Sequence, residues 1–247
     1  MKTIVNTFSK VWIAVILVSG FALACATKSE SQPPSKTVSE QAAPQGESQP
    51  TASKESDTYK VNLTPPAGKA IAAFAEGCFW CSEHIFEAVA GVDSAVSGYA
   101  GGTTANPTYK LVNTETTGHA EAVLVYYDPK VISYKELLNV FFASHDPTTP
   151  DQQGPDRGSS YRSIAFYQTD AEKKLADDAK AAAAKSGLFT NPIISEIKKL
   201  DAFYRAEGYH QDYIEHNPNS GYVRGVSIPR YDLFRKTYQE KYKGKLK

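Results

Sequence analysis

Between Ala26 and Thr58 the chain carries no aromatic residue and a single β-branched aliphatic, Val38, set among Ser, Gln, Pro, Thr, Lys and Glu. Such a stretch cannot bury enough apolar surface to offset the entropy of ordering it. Whatever folds must therefore come from Tyr59 to Lys247, where aromatic and aliphatic residues recur to the end. That length suits one hydrophobic core, so a single domain is expected over 59–247, behind a disordered tether over 25–58.

The first 24 residues have the order of an export signal: the short basic start MKTIVNTFSK, then the apolar run VWIAVILVSGFALA, which is too short to span a bilayer comfortably. The run ends at Ala22-Leu23-Ala24-Cys25. Ordinary cleavage after the small residues would release a secreted protein. The preferred reading is a bacterial lipoprotein in which Cys25 is lipidated, because the polar tether that follows would let an anchored domain clear the headgroups. The expectation is an exported, envelope-anchored monomer.

The formal net charge is zero and there is no concentrated basic stripe, so no nucleic-acid partner is expected. The locally basic end, Arg230 to Lys247, reads as a solvated helix face.

Within the folded part, KAIAAFAEG reads as a buried strand and FWCSEHIFEAVAGV as a helix closed by Gly91. A strand follows through Ser94 to Tyr99, then a Gly-rich loop, and AEAVLVYYD alternates as a further strand. SYKELLNVFFASH opens with Ser133 and Glu136 at capping-box spacing. A long breaker-rich loop follows, HDPTTPDQQGPDRGSSYR, then a strand, the helix TDAEKKLADDAKAAAAKSG, and a strand with two short helices. Strands mixed with helices in this way predict a two-layer α+β sandwich.

The chemistry centres on GCFWCSE, residues 77–83. With Cys25 assigned to lipid, Cys78 and Cys81 are the two remaining thiols. A zinc site would need two more ligands, and the chain has no second CxxC, so no metal is expected. A structural disulfide would close too small a loop to constrain the unfolded chain much. Redox chemistry fits better. A cysteine placed after a strand at a helix start faces unpaired N–H groups and the positive end of the dipole, which would lower its pKa. Cys81 lies one turn on, within disulfide reach. Thiol-disulfide exchange of the thioredoxin kind uses the same arrangement and stays open on the motif alone.

Five ordered motifs carry a resemblance: GCFWCSE, GYAGGTTANPTY, TGHAEAV, HDPTTPDQQGPDRGSSYRS and YHQDYIEHNP, spread over residues 68–222. Together they closely resemble the A-type peptide methionine sulfoxide reductases. The resemblance implies a ferredoxin-like core, reduction of methionine-S-sulfoxide free or in proteins, recycling by a thioredoxin-like reductant, and no cofactor. It implies Cys78 as the nucleophile and Glu121 as the acid, which burial must hold protonated. It further implies Tyr109 and Tyr161 as phenols on the sulfoxide oxygen, Asp156 as an ordering carboxylate, and Phe79 and Trp80 as the walls of the methyl slot. His119, His145 and His210 are read as structural, and Glu83 as a first-turn charge facing the helix dipole.

Many such relatives carry resolving cysteines in a C-terminal tail, and this chain has none there. The position of Cys81 is glycine in those relatives. The implied route is therefore a sulfenic acid at Cys78, resolved by Cys81 and reduced by an external dithiol. The alternative remains a thioredoxin-like thiol-disulfide oxidoreductase.

Overall fold

The computed structural model describes residues 58–247. The expected signal segment, the expected lipidation at Cys25 and the expected tether up to residue 57 lie outside the described residues. The chain opens with β1 (Tyr59–Lys60), β2 (Ala70–Glu76), α1 (Phe79–Glu87), β3 (Val92–Ala100), α2 (Tyr109–Val112), β4 (Ala120–Tyr127) and α3 (Tyr134–Ser144). The breaker-rich loop then holds a small hairpin, β5 (Gln152–Gln153) against β6 (Asp156–Arg157), and a 3₁₀ turn at Ser159–Tyr161. After β7 (Ser163–Tyr167), α4 (Asp170–Lys185), β8 (Glu196–Lys199) and β9 (Phe203–Arg205) come a 3₁₀ turn at Gly208–His210 and α5 (Tyr213–His216). A π-helical turn, Val223–Ser227, leads into the last helix, α6 (Ile228–Tyr242).

Seven strands form one sheet in the order β1-β9-β3-β4-β2-β7-β8. Every pairing is antiparallel except β7 with β8. In the central four, β3-β4-β2-β7, α1 crosses from β2 to β3 and α3 lies between β4 and β7. This is the expected ferredoxin-like α+β arrangement.

Period-two alternation explains why one face takes the helices. Ala72 and Phe74 of β2 and Val123 and Val125 of β4 point into the larger cluster with Ile85, Phe86, Leu137, Phe141, Ala176 and Phe234 from α1, α3, α4 and α6. Phe74 is its centre, stacked on Phe86 at 5.0 Å and Phe141 at 5.5 Å between ring centroids. The opposite positions, Ile71, Ala73, Ala75, Ala122 and Leu124, are smaller and pack beneath Leu200, Phe203, Val61 and Leu63. Gly98 permits the β3–β9 contact, since a Cβ there would fall 2.3 Å from the Tyr204 carbonyl oxygen.

Helix starts follow local chemistry. The Ser133–Glu136 capping box forms as expected, and Thr169 with Glu172 makes a second one at α4. The C-terminal expectations need correction. Gly91 does not cap α1: the helix ends at Glu87 with Ala88 as its C-cap, and Gly91, with φ +95°, instead turns the chain into β3. Two strands, not one, precede the final helices. α6 is a 15-residue helix whose Arg235, Lys236 and Lys241 face solvent as expected, while Phe234 and Tyr238 are buried in the core. Among the described residues no helix is long and apolar enough to cross a membrane.

Candidate active site

The site gathers at one end of the sheet, where β2 stops, β4 and β7 begin, and β3 ends. Register does the gathering: Glu76 pairs with Ser163, and Glu121 sits opposite Tyr99. The turn from β2 into α1 needs Gly77, which has φ +91°, and any Cβ there would strike the Gln153 side chain at 2.4 Å.

Cys78 is the N-cap of α1, with φ −52° and ψ 121°, and Cys81 is its third helical residue. These are the positions that face each other in a capping box. Both are free, buried thiols, and they share a hydrogen bond. Cys81 Sγ is also hydrogen-bonded to Ser227 Oγ at 3.3 Å, the serine hydroxyl donating whenever the sulfur is charged.

The expected lowering of Cys78 is not what the structure gives. Burial pushes the Cys78 thiol well up, helped by its bond to Cys81 and by Glu121 and Asp156 nearby. One of the helix-start donors is also diverted: the Phe79 amide donates to Glu121 Oε2 at 3.0 Å. Cys81 moves the other way, to about 6, through its bond from Cys78, then Arg230 and Ser227, against burial.

Glu121 is 2% exposed. Burial holds its carboxyl protonated far above the usual range, outweighing the Phe79 amide, and Asp156 and Cys81 add repulsion. Tyr109 and Tyr161 are half-buried beside it. The acidity of Tyr161 is suppressed first by the Glu121 charge, and that of Tyr109 first by burial and then by Glu121. Asp156 is buried and accepts a hydrogen bond from the Tyr222 hydroxyl at 2.5 Å. Burial raises its carboxyl.

Trp80 is half-buried, stacked on Tyr213 at 3.7 Å and edge-on to Tyr222 at 5.8 Å. Its Nε1 donates to His210 Nδ1 at 3.1 Å. Phe79 is fully buried and leans on Tyr99 and His210, so it forms a floor rather than an open wall. His119 and His145 use both ring nitrogens, as structural histidines should. His210 uses one, its Nε2 being buried without a partner, and burial lowers it to about 3. It orients Trp80 as a neutral ring.

Sequence reasoning missed five residues here: Glu76, Ser144, Tyr222, Ser227 and Arg230. Arg230 donates to the Glu76 carboxylate at 2.9 Å. Its signal was present, because 230, 234 and 238 share one helical face with the buried Phe234 and Tyr238. Glu83 also departs from expectation. It lies beyond the first turn of α1, buried, accepting from Ser97 Oγ at 3.1 Å and the Asp212 amide at 3.0 Å, so it anchors the helix instead of facing its dipole. Among the described residues no cluster of His, Cys, Asp or Glu could hold a metal.

Residues 70–242 match the family model described as peptide methionine sulfoxide reductase. The chain belongs to the peptide methionine sulfoxide reductase family. It is 46% identical over 172 residues to peptide methionine sulfoxide reductase MsrA of Natronomonas pharaonis, covering 70% of this chain and 97% of that one. It is 49% identical over 150 residues to MsrA of Bacillus subtilis, covering 61% and 85% respectively. Among solved structures, reduced Mxr1 from Saccharomyces cerevisiae aligns with a TM-score of 0.59 at 37% identity, covering 63% of this chain and 89% of that one. Methionine sulfoxide reductase A of Corynebacterium diphtheriae aligns at 0.56 with 32% identity, covering 63% and 78%. The A-type assignment and the ferredoxin-like fold expected from the motifs both stand.

The buried acids of this enzyme set a pH dependence. Burial pushes Glu83 up from 4.5 to about 8, so the folded chain keeps a proton that the unfolded chain releases. Stability from this residue therefore falls as pH rises through that interval. His145 and His210, lowered to about 3, are neutral in both states above pH 7 and drop out of the comparison. Chemical denaturation at pH 7 and pH 8 should show Glu83→Gln losing less stability with pH than the wild type, by up to about 1.4 kcal/mol per unit. Equal slopes would mean that Glu83 is ionised in the fold.

Proposed function

We propose that this oxidoreductase reduces methionine-S-sulfoxide, free or in proteins, with Cys78 as nucleophile, Glu121 as acid and Cys81 as resolving thiol. The observation that carries this reading is a buried carboxylic acid tied by the Phe79 amide to the helix start that bears the reactive thiol. Thiol-disulfide exchange transfers no oxygen, so it leaves the two phenols beside that acid without a role.

A buried thiol attacks poorly unless its proton has somewhere to go, and the hydrogen bond to Cys81 supplies the acceptor. Cys78 Sγ bonds to the sulfoxide sulfur while Glu121 gives its proton to the oxygen. The Tyr109 and Tyr161 hydroxyls donate hydrogen bonds to that oxygen. The hydroxyl passes to the Cys78 sulfur as the substrate S–O bond breaks, two electrons having moved to the substrate sulfur. Methionine leaves, and Glu121 recovers a proton from Cys81. Trp80 over Phe79 provides the apolar seat for the S-methyl group, and Asp156 with Tyr222 closes the polar side.

Cys81 thiolate then attacks the Cys78 sulfenic acid, the S–S bond forms, and the oxygen departs as water with a proton from the site. A thioredoxin-like dithiol reduces the disulfide. Asp156, Tyr222 and Arg230 also border an open groove of about 610 Å³ lined by Phe142, Phe189 and Leu233, which would give room to polypeptide flanking an oxidised methionine.

The basic start and the apolar run ending at Cys25 support export with Cys25 as lipid anchor, so that the electron donor is extracytoplasmic. Two tests follow. Glu121→Gln should slow methionine release in a single turnover by about 10²–10⁴-fold while the protein stays folded; wild-type rates would favour disulfide exchange instead. Cys25→Ser should move the full-length protein from the membrane fraction to the soluble one, and no change in fractionation would rule out the anchor.

A further inference from the structure

The C-terminal segment passes directly behind the two cysteines. The π-helical turn sets Ser227 on Cys81, and the next turn of chain brings in Arg230, whose side chain is 11% exposed. Its Nε donates to the Ser144 carbonyl at 2.8 Å, and Nη2 donates to both the Glu76 carbonyl at 2.8 Å and Glu76 Oε1 at 2.9 Å. The other oxygen of Glu76 is held by Ser144 Oγ at 2.6 Å. Nη1 lies against the turn that carries Cys78, 3.6 Å from where a Cβ on Gly77 would be. The guanidinium is thus fixed by three donor bonds, with its remaining nitrogen turned toward the cysteine turn.

We propose that Arg230 is a positioning residue for the resolving step: its guanidinium, held in place beside the Gly77–Cys78 turn, gives the cysteine pair a fixed cation as the Cys81 sulfur attacks the Cys78 sulfenic acid. This rests on the roles given to Cys78 and Cys81 above. The groups acting on Cys81 come from every element around it: Cys78 from the N-cap of α1, Glu76 from β2, Glu121 from β4, Asp156 from β6, Ser227 and Tyr222 from the π-helical turn and its approach, and Arg230 from α6. Arg230 is the cation in that set. Burial raises its ion-pair partner Glu76 to about 7, so near neutral pH the guanidinium is only partly offset by that carboxylate.

The bond from the Cys78 S–H is the larger support for Cys81 in the reduced enzyme, but the first half-reaction consumes that S–H. Arg230 and the Ser227 hydroxyl are what then remain of it. The resolving step balances as a thiolate plus a sulfenic acid plus one proton giving a disulfide and water, and a neutral Cys81 would have to lose a proton first. The same position of charge bears on recycling, since a stabilised Cys81 thiolate leaves more readily when a donor dithiol attacks Cys78.

Single turnover of the full-length protein with methionine-S-sulfoxide separates the two steps: methionine release reports the first, loss of both thiols the second. Arg230→Met with Glu76→Gln, which avoids stranding a buried carboxylate, should raise the pH midpoint of thiol loss by about one to three units. Glu76→Gln alone should lower it, and Arg230→Lys should restore much of the wild-type profile. Opposite shifts from two partners of one ion pair are an electrostatic signature that a merely structural contact would not give. Methionine released with unmoved midpoints overturns the role of Arg230 alone. Failure of the wild type to release methionine overturns the underlying reading and this proposal with it.

Discussion

A single hydrogen bond joins the two halves of the chemistry. The Phe79 amide, free at the start of α1 because a helix leaves its first donors unpaired, is given to the carboxyl of Glu121 on β4. The thiol sits one residue before that amide, so the bond ties the Glu121 carboxyl to the backbone that carries the nucleophile. The bond favours a charged carboxylate, yet burial overrides it and keeps Glu121 protonated. The site therefore depends on excluding water from the end of the sheet, which the large aromatic side chains around Phe79 and Trp80 accomplish.

The same exclusion makes Cys78 a reluctant acid and shifts the burden onto Cys81. The two thiols are biased in opposite directions, Cys78 held up by burial and Cys81 drawn down by its hydrogen bonds and the nearby guanidinium. Because Cys78 is the N-cap and not part of the helix, the first turn is already open where a disulfide has to close. A chain without cysteines after Cys81 uses its C-terminal segment differently, supplying Ser227 and Arg230 from behind instead of a thiol from a tail.

Local features were legible in the sequence, and long-range polar pairings were not. The strand ending at Glu76, the cysteine turn and the Ser133 capping box follow from motif and periodicity, whereas the grouping of Tyr109, Glu121, Asp156 and Tyr161 was implied by the family resemblance. The partner of Glu76 lies 154 residues away, in a stretch whose net positive charge invited a solvent-facing reading. Counting charges cannot distinguish a buried arginine from an exposed one, but the i, i+4 spacing from Arg230 through Phe234 to Tyr238 could have. Glu83 was misplaced for a related reason: helix phase put it inside, against Ser97, where burial rather than the dipole governs it. His210 looked like an ordinary core ring and proves to be the support on which Trp80 is hung.

The most direct test of this account is to map the two cysteines by mass spectrometry after one turnover with methionine-S-sulfoxide, in wild type and in Cys81→Ser, with a sulfenic-acid trap present. A Cys78–Cys81 disulfide in the wild type and a trapped sulfenic acid at Cys78 in the variant are the predicted results. A trap adduct at any other residue, or methionine released while both thiols remain free, would contradict it.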